Sequence, residues 1–400
     1  MENNNTDFQL IKLKDSNKNI LYHIPSKKRY LIKNENIDQL YSYMESIRKL
    51  DKVDVNKSYI KKLEIMTTTT CNLNCVYCYA KSGCYGKNEE IMTIEMSNKL
   101  VKYLEDNEIS MSSIETVTFF GGEPFLGYKA IIHICELFEK KVDKLPIFKV
   151  VTNMTYLPDE LINTLVKYKF IITVSLDGPE EINNRLRFSK KEDFNVFQTV
   201  KSNIDRLNKR GLNVHAIECT YTKLHEMKGY FKNELECYLR KEFSVEEVII
   251  ANNMFESWDE VENIKSDSKI KRELILGLLK PGYCLGGLCL AGLNSITFTP
   301  HGDIYPCHLF LYRDEFKMGN VNDNVGNLRP IQNQLKIIRD KLGCNTCEAR
   351  NICSQCYENL IFNNGALNGR CNIIKDLNKK LIEASIANDT ETLYSKLNDF

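Results

Sequence analysis

This 400-residue sequence lacks an excess of charge of either sign, a long apolar run and any internal repeat. Lys and Arg number 54 against 53 Asp and Glu, a net +1. There is thus no global basic field for gripping nucleic acid and no acidic disordered tail. The opening MENNNTDFQL is polar where a secretory signal needs an apolar stretch. No run approaches the ~18 apolar residues of a membrane span, and no low-complexity tract interrupts the chain. With 43% hydrophobic and 27% charged residues, a globular chain of two or three packed units remains. The expectation is a cytoplasmic protein without nucleic-acid or membrane partners.

Against that background stand 15 cysteines. A large cytosolic chain rarely holds so many thiols as disulfides, because the compartment keeps them reduced. Buried cysteines acting as small hydrophobes would be scattered. These are grouped, and grouping points to metal.

Residues 1–61 carry little chemistry. LIKLKDSNKNILYHIPSKKRYLI reads as two or three short strands with turns at Asp15–Lys18 and Pro25–Lys28, and a helix is expected over Ile37–Lys49. From Lys62 to about Asn252, apolar runs (LEIMTTT, ETVTFF, IFKVVTN, FIITVSL, NVHAIECTYT, EEVIIANN) alternate with helical segments such as Met96–Asp106 and Asp193–Lys209. Short apolar runs separated by helices predict βα units on a parallel sheet. Six of them give an α/β domain, a partial (β/α)6 barrel like that of triosephosphate isomerase, with active residues at the carboxyl ends of the strands. Asn253–Lys280 reads as a charged, helical bridge. Beyond Pro281 periodicity fades, and seven cysteines lie from Cys284 to Cys356, with Cys371 further on. Metal would supply the stability that such a segment lacks. The divisions expected are 1–61, an extension; 62–275, the barrel; 276–375, a small cysteine-rich domain; and 376–400, a closing helix.

Directly after the first barrel strand comes CNLNCVYCYA, with Cys71, Cys75 and Cys78 in C-x3-C-x2-C spacing. Three thiolates on one tight loop suit three irons of a 4Fe–4S cube and leave the fourth iron open. Structural zinc prefers four ligands in paired units, and only Cys84 offers itself as a fourth. The loop, with Tyr77 before its third cysteine, resembles the signature of the radical S-adenosylmethionine (SAM) superfamily. In that family the open iron chelates the amino and carboxylate groups of SAM. An electron from the cluster cleaves the sulfonium, and the resulting 5′-deoxyadenosyl radical takes hydrogen from the substrate.

The resemblance continues strand by strand. In FFGGEP, Gly121, Gly122 and Glu123 match the family's patch for the SAM amino group. Asn153 ends the third strand in VTNMT. Ser175 and Asp177 in SLDG occupy the place of the ribose contact. Arg187 in EINNRLRF matches the arginine for the SAM carboxylate, a bidentate partner that suits guanidinium, and Arg185 is a near neighbour that could be confused with it. Glu218 and Thr220 in ECTYT could face the ligand or merely end a strand.

The later cysteines run Cys284, Cys289, Cys307, then Cys344, Cys347, Cys353, Cys356, then Cys371. A zinc ribbon usually separates its pairs by ~15–20 residues; here five residues separate Cys347 from Cys353. The pattern resembles the SPASM domain, which carries auxiliary clusters in peptide-modifying radical SAM enzymes, with one departure: two residues rather than three lie between Cys353 and Cys356. The resemblance implies one auxiliary cluster on Cys284, Cys289, Cys307 and Cys356 and a second on Cys344, Cys347, Cys353 and Cys371. With the loop, that makes three 4Fe–4S clusters. Should Cys284 not ligate, an auxiliary iron would stay open for a substrate thiolate. Cys135, Cys219 and Cys237 read as incidental thiols.

The SPASM resemblance implies a peptide substrate and an electron donor such as flavodoxin or ferredoxin. His308 follows Cys307 where anaerobic sulfatase maturases carry an aspartate as catalytic base, which makes His308 a candidate catalytic residue and argues against that activity. ITFTPHGDIYPCHLF instead resembles thioether-forming maturases of cysteine-rich peptides, and residues 1–61 vaguely resemble a peptide-recognition module or else cap the barrel. The expectation is a maturase that joins cysteine sulfur to carbon in a precursor peptide. The alternatives are formylglycine formation, carbon–carbon cross-linking and, outside the enzymes, a zinc-binding interaction module.

Overall fold

The opening strands are realised as an antiparallel sheet in which β1 (Phe8–Lys12) pairs with β2 (Lys18–His23) and β2 with β3 (Lys28–Lys33). The computed structural model describes these strands, residues 60–253 except 86, 87 and 108, residues 291–323 except 293, and ten scattered positions between 343 and 382. The helix expected at Ile37–Lys49, the bridge at Asn253–Lys280 beyond its first residue and most of the closing helix lie outside the described residues. Chain contacts define two units, one of Met1–Lys57, Trp258–Leu290 and Asn333–Phe400, the other of Ser58–Ser257 and Ala291–Gln332.

In the second unit all six apolar runs are strands: β4 (Lys62–Thr68), β5 (Thr116–Gly121), β6 (Ile147–Thr152), β7 (Ile171–Ser175), β8 (Ala216–Tyr221) and β9 (Glu247–Asn252). Each lies parallel to the next in sequence order, and helices fill the connections, as parallel pairing requires. This is the α/β architecture of a partial barrel. One row of each strand is sealed: Val117 and Phe119, Phe148 and Val150, Ile172 and Val174 are buried. Behind the sheet the rings of Phe119, Phe148 and Phe170 stack at 5.5–6.3 Å. The alternate row (Thr118, Lys149, Thr173, Glu218) is half-exposed and polar, so the uncovered face of the sheet is available for chemistry.

Helix starts are set by caps. The helix expected from Met96 begins at Ile94 because the Thr93 side chain accepts from the Met96 amide at 3.0 Å. The one expected from Asp193 begins at Val196, where Asn195 accepts from Gln198 at 3.0 Å. The cysteine-rich stretch contributes three short strands: β10 (Ser295–Phe298), β11 (Asp303–Tyr305) and β12 (Gly319–Asn320). β10 lies parallel to β4, and β11 and β12 follow antiparallel. Runs of four, three and two residues are too short to leave a periodic signal in the sequence. No helix among the described residues is long and apolar enough to cross a membrane.

Candidate functional site

The cysteine loop leaves β4 and is stitched down on both sides. Thr69 donates its amide to Glu90 O at 2.9 Å, and the Thr68 and Thr69 hydroxyls bond Glu90 O and Asn88 O. On the other side Asn74 N reaches Phe188 O at 2.8 Å and Val76 N reaches Leu186 O at 2.9 Å. Cys71, Cys75 and Cys78 are half-buried and form no disulfide. Their sulfurs are solvated by the chain: Leu73 N donates to Cys71 Sγ at 3.4 Å, Ser82 N to Cys78 Sγ at 3.3 Å and Asn153 Nδ2 to Cys71 Sγ at 3.6 Å. Burial pushes the Cys71 thiol up to about 12, with Glu123 adding to it, and the Cys75 thiol up to about 11. Thiolates there need a positive partner. Amide donors aimed at sulfur, in a loop where burial keeps Cys71 and Cys75 from ionising without a cation, fit an iron–sulfur cluster. Cys135 and Cys219 are core residues, Cys237 is exposed, and Cys84 donates to Lys81 O at 3.0 Å.

Gly121, which ends β5, and Gly122 after it let backbone press against this loop. A Cβ on Gly122 would lie 2.2 Å from Thr70 O, and one on Gly121 2.4 Å from Thr68 O. In the gap so kept, Gly122 N donates to Thr68 O at 3.1 Å and Glu123 N to Thr70 O at 2.9 Å. The Glu123 side chain turns inward. It is fully buried and accepts from Phe125 N at 3.0 Å, Thr152 Oγ1 at 2.6 Å and Asn153 N at 2.7 Å, which ties β5 to β6. Asn153 in turn links the sheet to the loop: its Nδ2 reaches Asn72 Oδ1 at 3.0 Å as well as Cys71 Sγ. Asn72 and Thr155, which sequence reasoning passed over, close that ring at 2.8 Å.

At the end of β7, Asp177 is completely buried. Arg187 Nη2 donates to its Oδ1 at 3.1 Å, Arg187 Nε lies 2.9 Å from Oδ2, Thr220 N donates to Oδ1 at 2.9 Å and the Tyr77 hydroxyl to Oδ2. The Arg187 guanidinium also lies 5.4 Å from the centre of the Tyr77 ring. Burial would lower the Arg187 pKa, but the Asp177 charge outweighs it and the group stays protonated. Its charge also reaches Cys75. Arg185, by contrast, is exposed on the helix Glu180–Leu186, so the structure separates the two arginines. Ser175, the last residue of β7, and Glu218, the third of β8, are register partners, both half-exposed; Glu218 and Thr220 thus lie within β8 rather than at its end.

The third wall comes from the hairpin of β10 and β11. His308 donates its amide to Glu64 Oε2 at 3.1 Å, and its Nδ1 lies 3.2 Å from the same oxygen. Thr297 Oγ1 adds a bond at 2.7 Å, and the imidazole meets the Phe120 ring edge-on at 5.6 Å. Burial pulls the His308 pKa down, but the Glu64 carboxylate outweighs it and the net shift is upward. For Glu64 burial acts upward, and His308 holds the net below the usual carboxylate range. Glu64 was missed in the sequence. Its signal was a carboxylate at an inward position of the apolar run LEIMTTT. Cys307 is half-buried beside His308, and Cys344, Cys347 and Cys371 are half-buried in the other unit. Cys284, Cys289, Cys353 and Cys356 lie outside the described residues.

Comparison with known proteins agrees with this geometry. The radical SAM superfamily profile matches residues 65–229, and that of the SPASM iron–sulfur cluster-binding domain matches residues 289–357. The chain is similar to the radical SAM cyclopropyl synthase TigE of Paramaledivibacter caminithermalis, at 23% identity over 86% of this chain and 79% of that one. It is similar to a cysteine-type anaerobic sulfatase-maturating enzyme of Clostridium perfringens, at 27% identity over 63% of this chain and 75% of that one. Among solved structures, Streptococcus suis SuiB bound to its precursor peptide SuiA superposes with a TM-score of 0.54 at 16% identity, over 89% of this chain and 95% of SuiB.

Proposed function

Since the chain is a radical SAM enzyme of the peptide-modifying kind, carrying a SPASM domain, we propose that it closes a thioether between a cysteine sulfur and a carbon of a cysteine-rich precursor peptide. Cys71, Cys75 and Cys78 hold the 4Fe–4S cluster at which SAM binds, and Cys284, Cys289, Cys307, Cys344, Cys347, Cys353, Cys356 and Cys371 hold two auxiliary clusters. Cluster and SAM together supply a hydrogen-abstracting 5′-deoxyadenosyl radical. The protein's own residues do the rest. Arg187 binds the SAM carboxylate, the Gly121–Gly122 strap presents backbone to the amino group, and Tyr77 and Asn153 close the sides.

The observation that supports a bond-forming outcome is the Glu64–His308 pair. At the position after Cys307, where a sulfatase maturase would have an aspartate base, this chain holds an imidazole tied down by a carboxylate. A peptide in the half-exposed face of the sheet meets that imidazole, which can take the thiol proton as sulfur joins the carbon radical, while the one electron left over goes to the auxiliary clusters. A reduced flavodoxin or ferredoxin is the electron donor, and the cytoplasm is the compartment that keeps the thiols reduced. The division into an extension over 1–61, a barrel over 62–275, a cluster domain over 276–375 and a closing helix is part of the same reading. A second reading, carbon–carbon bond formation, is favoured by the likeness to TigE over 86% of the chain.

The test is anaerobic reconstitution with SAM and the short cysteine-rich peptide encoded beside the gene. The expected product is about 2 Da lighter, two hydrogens gone, and has one fewer thiol open to alkylation. The same mass loss with every thiol intact supports the carbon–carbon reading. A product aldehyde that reacts with hydrazide, or an unchanged peptide, overturns the proposal.

A further inference from the structure

Asp177 stands where the family resemblance expects a ribose contact, yet its carboxylate is fully buried and already holds three donors of the protein itself. An ionised carboxyl group offers roughly four acceptor directions. Arg187 Nη2 and Thr220 N donate to Oδ1 and the Tyr77 hydroxyl donates to Oδ2, while the charged Arg187 Nε lies 2.9 Å from Oδ2 without donating to it. The residue is 0% exposed. Its backbone is held as firmly: Asp177 N donates to Asn183 Oδ1 at 3.0 Å, and His225 Nε2 meets Asp177 O at 2.9 Å. At Gly178 the chain turns with φ +98°, so nothing in the loop is free to swing the carboxylate outward.

We propose that Asp177 is a positioning residue that aims the Arg187 guanidinium at the SAM carboxylate and does not touch the ribose. The proposal rests on the reading that Arg187 holds that carboxylate. Asp177 lies against the Nε–Nη2 edge of the guanidinium, with Nη2 donating and Nε 2.9 Å away, so the other edge of the planar fork, ending in Nη1, is turned away from it. Nη1 has no hydrogen-bond partner among the described residues. The guanidinium carbon lies 5.4 Å from the centre of the ring of Tyr77, a residue of the cysteine loop, so the group stands against that loop. A second carboxylate can dock there in the same bidentate manner. The ribose is left to Ser175, two residues earlier and half-exposed at the end of β7.

The experiment measures the affinity of the anaerobically reconstituted enzyme for SAM, decarboxylated SAM and 2′-deoxy SAM by equilibrium dialysis, with iron per chain determined alongside. D177N is expected to retain its iron and to narrow the preference for SAM over decarboxylated SAM by about tenfold, the worth of one charge-assisted bond. Its preference for SAM over 2′-deoxy SAM should match wild type. The opposite pattern, with carboxylate preference intact and ribose preference lost, overturns the proposal. R187Q tests the underlying reading. If R187Q leaves carboxylate preference unchanged, Arg187 is not the carboxylate partner. If R187Q narrows it and D177N does not, only the positioning role fails. Should D177N not fold, Y77F removes one of the three donors without altering charge. A preference narrowed by about threefold in Y77F supports positioning, and an unaltered one overturns it.

Discussion

Substituting Gly122 by alanine tests the claim that the double glycine exists to let two backbones meet. The added Cβ would lie 2.2 Å from Thr70 O, 2.5 Å from Thr70 C and 3.0 Å from Cys71 N, where ordinary contact begins at 3.4 Å. All three atoms are backbone, so no side chain can rotate away and the strap must lift by about 1 Å. Overpacking of that kind costs about 1–3 kcal/mol. The amides of Gly122 and Glu123 would also leave Thr68 O and Thr70 O, at roughly 1 kcal/mol each. The sum is about 3–5 kcal/mol, which lowers the melting temperature by about 10 °C in a unit of this size. The control is Gly211→Ala, where φ is +81° but nothing lies within 4 Å, so only the left-handed penalty of about 1–2 kcal/mol applies. Thermal melts of both anaerobic variants by circular dichroism, with iron determined per chain, decide the matter. G122A should melt well below G211A and hold less iron, because the displaced strap drags Thr70 and with it Cys71. Equal melting temperatures with equal iron would refute the reasoning.

Two further outcomes follow from buried carboxylates. Burial pushes Glu123 up to about 7, against hydrogen bonds from Thr152, Asn153 and Phe125 that act downward. A carboxyl group whose folded pKa lies above its unfolded value of 4.5 contributes stability that is complete below 4.5 and lost as pH rises through 7. Wild type should therefore lose on the order of 3 kcal/mol between pH 5 and pH 8 relative to E123Q in denaturant titrations; parallel pH profiles would count against it. E64A strips partners from the buried Thr297 hydroxyl and the His308 amide, at about 2–4 kcal/mol in total. E64Q keeps both acceptor contacts and should lose about 1 kcal/mol, so equal losses in the two variants would show that these bonds do not matter.

The barrel was legible in the sequence because a parallel sheet covered by helices writes itself as isolated apolar runs, and all six appear as strands. The cysteine loop was legible because its three cysteines sit within eight residues of one another. Glu123 and Asp177 were found by position, but the direction of their side chains was not readable. Both could have reached a ligand, and both instead turn into the protein, where Thr152 and Asn153 in one case and Arg187 and Tyr77 in the other satisfy them. Such partners lie 29 and 10 residues away or further, and spacing in one chain says nothing about which of many polar groups will meet. Strands β10–β12 escaped notice for a different reason. Their regularity comes from lying beside β4, not from a pattern of their own.

That pairing bears on how the two cysteine fields cooperate. β4 leads directly into Cys71 at its carboxyl end, while at its third residue Glu64 grips the turn that carries Cys307. The parallel register sets Thr297 opposite Glu64, so the turn that carries Cys307 is indexed to the strand that carries the first cysteine loop. At about 3.3 Å per residue, Glu64 and Thr68 lie about 13 Å apart along a segment that pairs on both sides. A strand hydrogen-bonded on both edges cannot slide by a fraction of a residue, since every pairing would be lost together. The position of Cys307 relative to Cys71 is therefore fixed by backbone pairing and by one carboxylate, with no dependence on the long segment between them. A single-residue deletion within β10 should for that reason carry Thr297 out of reach of Glu64 and turn the Cys307 turn away from the face that holds the first loop, a change that the iron bound per chain would report.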